Sequence, residues 1–385
     1  MRINNFMSIS FISFLLYLFK PKLEKTDNVY VKLFFLASFI IFQFLSVTTV
    51  FSQEKLKVYF LLSVDWEGDT LRDANLAAMQ RFNRAFPEFP VIHFLNAAYY
   101  TKNWEMSEME VTSRIKSVLK SNDEIGMHIH SWENFVKASG VEFRDGPSFW
   151  GDLSISRNGE RGDDVPLNSY SEKEIQKQIS YSKKVFKKFG LGIPKSFRGG
   201  GWMSGSNVWN ALVKEGIYID SSAVPGELVN NLYPDSNLSK LHQALWLGID
   251  ETLGPYHTTE QMIQFPNNLG LADYVDEIEF MDKYLRLYRQ AVQSGKKELY
   301  IHFGWHQESA VEYFKHDENN HGRMRLVRSD YLERVEKIIN TVKAHAQKNN
   351  VELIPSGFEK FPKMKILGQG AACASIARGI FLKSK

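Results

Sequence analysis

The chain has almost no cysteine. Its single cysteine among 385 residues, Cys373, excludes any intrachain disulfide. Cysteine nucleophiles and thiolate zinc knuckles are excluded with it, outside the C-terminal tail where Cys373 sits. Nor is there an excess of charge. Lys and Arg number 47 against 44 Asp and Glu, a net of +3, so no basic field points to nucleic acid. No internal repeat appears. The apolar and charged fractions are those of an ordinary folded protein, and the length suits one large domain or two ordinary ones.

Charge is missing altogether from two stretches near the start, Ile3 to Phe19 and Leu33 to Gln53. The second is long enough to span a bilayer. It ends in "VFSQ", where Val50 and Ser52 are small residues that suit a signal peptidase. Lys20, Lys22, Lys25 and Lys32 precede it, which keeps that side cytoplasmic. Residues 1–53 are therefore expected to be a signal or anchor segment, with a cleavable signal, a retained anchor and a buried helix as the alternatives. The first run is either a second span or a sign that translation starts further along. The remainder is expected to be exported (periplasmic, cell-surface or anchored), with membrane contact only through this segment.

From Lys55 onward, apolar runs alternate with helical spacing. "KVYFLLSVDWEG", "FPVIHFLNAAYY", "DEIGMHIHSW", "PKSFRGGGW", "GIYIDSSA", "ELYIHFGWH" and "VELIPS" read as strands. "DANLAAMQRFNRAF", "SEMEVTSRIKSVLKS", "SNVWNALVKEG" and "SDYLERVEKIINTVKAHAQKN" read as helices. Another helix opens on a capping-box pattern at Ser171-x-x-Glu174 and closes on Gly190. Such alternation predicts an α/β fold with a parallel sheet, open or closed into a barrel. "FWGDLSISRNGERGDDVPLNSYS" reads as a long surface loop. Residues 54–362 are expected to form the folded barrel domain and 363–385 a tail.

Chemistry-bearing residues collect where strands run out, the face on which parallel α/β folds bind ligands. They are Asp65 and Glu67 in "VDWEG", His128 and His130 in "MHIH", Arg198 before three glycines, Asp220 in "YID", and His302 and His306 in "IHFGWH". In a strand, residues two apart point to one face, so His128 and His130 present two imidazoles side by side. Two such rings beside an acid suit a divalent metal. The bland readings are helix-capping acids, core histidines and a surface arginine. His93, within an apolar run, reads as a core histidine. Trp104, Trp132, Trp150, Trp202 and Trp305 are candidates to line a groove for a sugar ring.

The ordered set "SVDWEG", "EIGMHIHSW", "FRGGGW", "YIDSS" and "LYIHFGWH" resembles the polysaccharide deacetylase superfamily, the NodB-homology type of carbohydrate esterase family four, over roughly Leu56 to Phe361. The resemblance implies a distorted, seven-stranded (β/α) barrel. It implies a catalytic base and a metal ligand from the first motif, assigned as Asp65 and Glu67 with their roles open to exchange. It implies metal histidines from the second (His128, His130), an arginine that orients the base (Arg198) and a general acid (His302). The metal would be divalent, most simply zinc, and the substrate a carbohydrate. The chain departs from the pattern in three places. Trp66 splits the acidic pair, Trp132 stands where a second histidine is usual, and "SSA" follows Asp220 without the usual tryptophan. The implied reaction is hydrolysis of a non-peptide amide, most simply deacetylation of an N-acetylated sugar. The alternatives are a metal-free carbohydrate-binding barrel, or a hydrolase of glycosidic bonds or cyclic amides.

Overall fold

The computed structural model describes residues 54–151, 159–316 and 324–361. The expected signal or anchor segment, Cys373 and the tail lie outside these residues. Among the described residues, no helix is long and apolar enough to cross a membrane.

Among the described residues, eleven strands are interspersed with helices: β1 (Leu56–Asp65), β2 (Val91–Asn96), β3 (Glu124–Ile129), β4 (Ser196–Gly199), β5 (Ile219–Asp220), β6 (Tyr256–His257), β7 (Ile263–Gln264), β8 (Glu298–His306), β9 (Glu312–His316), β10 (Met324–Arg328) and β11 (Val351–Ser356). Seven of them pair in parallel succession, β8-β1-β2-β3-β4-β5-β7. Seven is the number of strands expected of the barrel, and the whole sheet has nine. Two more strands join these seven. β11 runs parallel to β1 beside Leu56–Leu61, leaving Leu62–Asp65 to pair with β2, and the short β6 is antiparallel to β7. The free edge of β8 is closed by irregular chain. Leu269 N–H donates to the His302 carbonyl (3.1 Å), Gly304 N–H to Gly270 (3.1 Å) and Ala272 N–H to Gly304 (2.8 Å). The result is a distorted (β/α) barrel. β9 and β10 form a separate antiparallel pair.

The period-two alternation of strands divides the core. On β1, Val58, Phe60, Leu62 and Val64 pack into the main cluster with the helices, whereas Tyr59 and Leu61 belong to a second cluster with Ile92, Phe94, Phe265, Tyr300, Phe358 and Phe361. Further along β1 on that second face come Ser63 and Asp65, so the inner lining changes from apolar to polar toward the strand's carboxyl end. On β8 the same face carries Tyr300, His302, Gly304 and His306. Asp65 and His306 are cross-strand partners, as are His128 and Arg198 on β3 and β4.

Helix Glu172–Phe189 shows how the local signals work. Ser171 and Glu174 form the reciprocal capping box, and Gly190 ends the helix in the left-handed conformation (φ 60°). Ile175, Ile179, Ser182, Phe186 and Phe189 form its buried stripe. Several elements between Asp220 and β8 carried no reading in the sequence: helices Gly226–Leu232, Asn237–Leu245 and Glu277–Gln293, and the two-residue strands β6 and β7.

Candidate active site

Strand ends and the loops after them enclose a cleft of about 310 Å³. Asp65, Glu67, His128, His130 and His306 all line it. Asp65 is the last residue of β1, and Glu67 lies two positions on, on the same side. Trp66 between them turns into the core, where its Nε1 donates to His93 Nδ1 (3.3 Å). The split acidic pair is thus what strand alternation needs to bring two carboxylates to one cleft. His93 is a core histidine as expected, with Nε2 3.1 Å from Asp123 Oδ2.

Glu67, His128 and His130 place one donor atom each within 4.8 Å of one another. His128 Nε2 is 3.2 Å from Glu67 Oε1, and His130 Nε2 is 2.8 Å from Glu67 Oε2. The His130 contact lacks hydrogen-bond geometry, which leaves that buried nitrogen without a hydrogen-bond partner. The other ring nitrogens fix the tautomers. His128 Nδ1 donates to the Arg198 carbonyl (2.8 Å) and His130 Nδ1 to the Asp163 carbonyl. Both Nε2 atoms therefore face Glu67, the orientation that metal-ligating imidazoles take. Electrostatics agree. Burial acts to raise the Glu67 carboxyl, but His130 and His306, with the close approach of His128, hold it well below the usual range. Burial opposes charge on His130, yet Glu67 brings it up to about 9. The cluster demands positive charge, and these three donors fit a divalent cation.

Trp132, in the place of the usual histidine, has another task. Its Nε1 donates to the Glu67 carbonyl (2.8 Å), as does Asn96 Nδ2 (3.0 Å). Backbone close approach explains the glycines after Arg198. A Cβ on Gly200 would lie 2.7 Å from the His130 ring, and Gly201 adopts φ +59°. Trp202 follows at φ 57°, its carbonyl accepting from Trp246 Nε1 (3.1 Å).

Arg198 is fully buried and pairs with Asp65 (Nη1 to Oδ1, 2.7 Å). It also donates to Ser63 Oγ (3.0 Å), the Ser221 carbonyl (3.0 Å) and Ser221 Oγ (2.9 Å), and its guanidinium lies 4.3 Å from the centre of the Phe94 ring.

His302 does not line the cleft. It lies fully buried beneath Arg198, with Nε2 3.3 Å from Arg198 Nη2 and 3.0 Å from Ser63 Oγ, and Nδ1 3.2 Å from Tyr300 Oη. Burial, then the arginine, push its pKa well below the ordinary value. A neutral ring fits every contact: Nδ1–H donates to Tyr300, whose hydroxyl donates to the Pro266 carbonyl (2.8 Å), and Nε2 accepts from Arg198 and Ser63. His302, expected as the general acid, is thus placed outside the cleft. His306, four residues on and on the same strand face, is the histidine at the cleft, because β8 continues for a further two pairs of residues. Its Nδ1 is 2.9 Å from Asp273 Oδ1 and its Nε2 3.5 Å from Glu67 Oε1. Burial opposes its charge, but Asp273 and Glu67 bring it up to about 10.

Other expectations are redistributed. Asp220 is buried away from the cleft, accepting from Ser204, Trp209, Gln264 and Ser222. Of the tryptophans, Trp150 and Trp202 line the cleft, whereas Trp132, Trp104 and Trp305 do not. Trp104 stacks on Tyr99 (6.0 Å, 8°), and Trp305 packs on Phe82 (5.3 Å). The loop read as surface carries Phe149 and Trp150 at the cleft, and Asp163 and Asp164 are buried. The sequence reading missed Asp273, Tyr274, Glu308, Tyr233 and Phe314, all cleft residues. Glu308 had one available signal, its spacing of two from His306. Asp273 had none, since it follows the irregular segment that closes the barrel.

No protein-family model and no curated protein matches this chain. Among solved structures it is similar to a Mycobacterium smegmatis protein assigned as a polysaccharide deacetylase, at 10% identity, covering 78% of this chain and 87% of that one with a TM-score of 0.42. It is similar to 4-alpha-glucanotransferase from Thermococcus litoralis at 12% identity, covering 79% of this chain and 40% of that one (TM-score 0.41). It is also similar to the chitin deacetylase of the fungal pathogen Colletotrichum lindemuthianum at 12% identity, covering 64% and 87% (TM-score 0.30). The five motifs that carry the resemblance to the polysaccharide deacetylase superfamily stand, in the same order, at or just beyond strand ends of this fold.

Proposed function

We propose that this protein is a metal-dependent hydrolase of a non-peptide amide, removing the acetyl group from an N-acetylated sugar of a glycan. The observation that carries the reading is one cleft holding three separate devices: the Glu67–His128–His130 cluster, the Asp65–Arg198 pair and the His306–Asp273 pair. A divalent cation held by Glu67, His128 and His130 would polarise the amide carbonyl and lower the pKa of water at the site.

The chain's own residues supply the proton transfers. Asp65, oriented by the buried Arg198, takes a proton from the attacking water. Arg198 aims the carboxylate and touches no cleft surface itself. The adduct collapses by breaking the carbon–nitrogen bond. His306, held by Asp273, gives its proton to the departing amine. Trp150, Trp202, Tyr233 and Tyr274 offer ring faces for a sugar beside these groups. The geometry supports Asp65 as base and Glu67 as ligand, because only Glu67 meets both imidazoles. Export of the domain through residues 1–53 forms part of the proposal and rests on their composition.

The test is product analysis on chitin oligosaccharides with metal-stripped and zinc-loaded protein. Metal-dependent release of acetate supports the reading. New reducing ends without acetate would replace it with glycosidic cleavage, and sugar binding with neither product would make the chain a binding barrel. His306→Gln should lower turnover about 10²- to 10⁴-fold while leaving bound zinc in place.

A further inference from the structure

Glu67 lies beyond the end of β1, on a turn with Gly68 at φ +78°. A ligand on a turn is aimed only as well as the turn is held. Its carbonyl is held by Trp132 and Asn96. A Cβ on Gly68 would lie 2.8 Å from the Asn96 side chain, so the turn is pressed against that amide. The other side of the turn is held by a residue to which no role has yet been given. Glu308 Oε2 accepts the Glu67 N–H (3.1 Å), and its Oε1 accepts the Asp69 N–H (3.4 Å). The Tyr99 hydroxyl donates to the same Oε1. Glu308 is itself nearly buried and stands on the short helical turn that follows β8.

We infer that Glu308 is a positioning residue for the metal ligand Glu67: it splints the Glu67–Asp69 turn so that the Glu67 carboxylate meets His128 and His130. The inference rests on the reading of Glu67, His128 and His130 as a divalent-metal site. Two backbone N–H groups two residues apart converge on one carboxylate, which only two acceptor oxygens can satisfy. The groups that meet Glu308 at these oxygens are donors, two backbone N–H groups and the Tyr99 hydroxyl. A glutamine there offers one acceptor, and turns an N–H₂ toward a second donor. Aspartate keeps both carboxyl oxygens but is one methylene too short to reach both N–H groups. The splint also joins the two histidine-bearing ends of the site, since β8 supplies His306 and the turn after it supplies Glu308.

The test uses the full chain, stripped with a chelator and titrated with zinc ion by calorimetry, then with cobalt(II) to record its visible absorption. Wild type is expected to take up about one zinc per chain. Glu308→Gln and Glu308→Asp should both bind zinc about 10- to 100-fold more weakly, the range seen when a ligand's orienting partner is removed. Their cobalt spectra should change shape, while the melting temperature of the metal-free protein stays near that of wild type. Tyr99→Phe, which removes a single donor from the carboxylate, should lie between wild type and these two. Zinc affinity and cobalt spectrum unchanged in Glu308→Gln would overturn the inference, as would full affinity in Glu308→Asp, which would make Glu308 a mere local charge. Should Glu308→Gln fail to fold, Glu308→Asp and Tyr99→Phe decide the matter by the same readouts. A wild type that takes up no zinc would instead strike the metal reading itself.

Discussion

Replacing Arg198 by methionine tests the reasoning most severely, because the guanidinium serves both stability and chemistry. All five of its N–H groups are used: Nε to the Ser221 carbonyl, Nη1 to Ser63 and Asp65, and Nη2 to Ser221 Oγ and His302. Methionine fills much of the volume and satisfies none of these. Asp65, only 2% exposed, is then left as a buried carboxylate without its cation. Breaking one side of a buried pair costs about 3–5 kcal/mol. For a domain of this size that is a fall in melting temperature on the order of 10 °C. Turnover should fall about 10²- to 10⁴-fold, since a misaligned base harms the transition state, whereas KM should change little. Bound metal should survive, because Arg198 reaches the ligand histidines only through its backbone carbonyl to His128, which methionine retains. The double variant Asp65→Asn/Arg198→Met removes both charges and should regain part of the stability. The assays are thermal unfolding, steady-state kinetics on an N-acetylated oligosaccharide and metal analysis. A well-folded Arg198→Met protein that has lost its metal, or one with full turnover, would refute the division of roles.

Three further outcomes follow from the same geometry. Gly200→Ala should weaken zinc binding about 10-fold or more in calorimetry, because the added Cβ would lie 2.7 Å from the His130 ring and turn its Nε2 away from Glu67. His242, buried with Nε2 donating to the Gly201 carbonyl (2.7 Å), is pushed by burial down to about 4. Its folded pKa lies below the unfolded value, so its contribution to stability is present above about pH 6.5 and is lost as pH falls toward 4. The loss is at most about 3 kcal/mol, and His242→Gln should flatten that acid limb in urea unfolding. Removing residues 1–53 should yield a domain that folds without detergent, checked by circular dichroism and light scattering, and aggregation of that protein would show that the leader packs on the domain.

How much was legible in the sequence follows a physical line. Long, doubly buried strands announce themselves by continuous apolar runs, so β1 and β8 were plain. Helix Glu172–Phe189 was plain from its cap and its glycine. Strand alternation then placed Asp65 with Glu67, and His128 with His130, on shared faces. What the sequence hid was set by tertiary context. β6 and β7 are two residues each, too short for any period to show. His302 and His306 share a face, and only the actual length of β8 decides which one reaches the cleft. Asp273 sits in irregular chain and Glu308 on the short turn beyond β8, where strand alternation no longer fixes which side chains face the site. Asp163 contributes through a backbone carbonyl, for which residue identity carries no signal.

The pairing of β8 with β1 also sets the order of events in time. Ser63 and His302, which meet inside the barrel, are separated by 239 residues along the chain. Asp65 faces His306 across the same ladder. Contacts so remote in sequence form late, after the loop-closure entropy has been met. During synthesis the acids and the ligand histidines leave the ribosome long before the strand that completes their cleft. A nascent chain lacking β8 holds Arg198 and Asp65 without their floor and Glu67 without its splint. The site is consequently all-or-none: it ripens only with the last third of the chain, and the partly made protein has no working cleft to misuse.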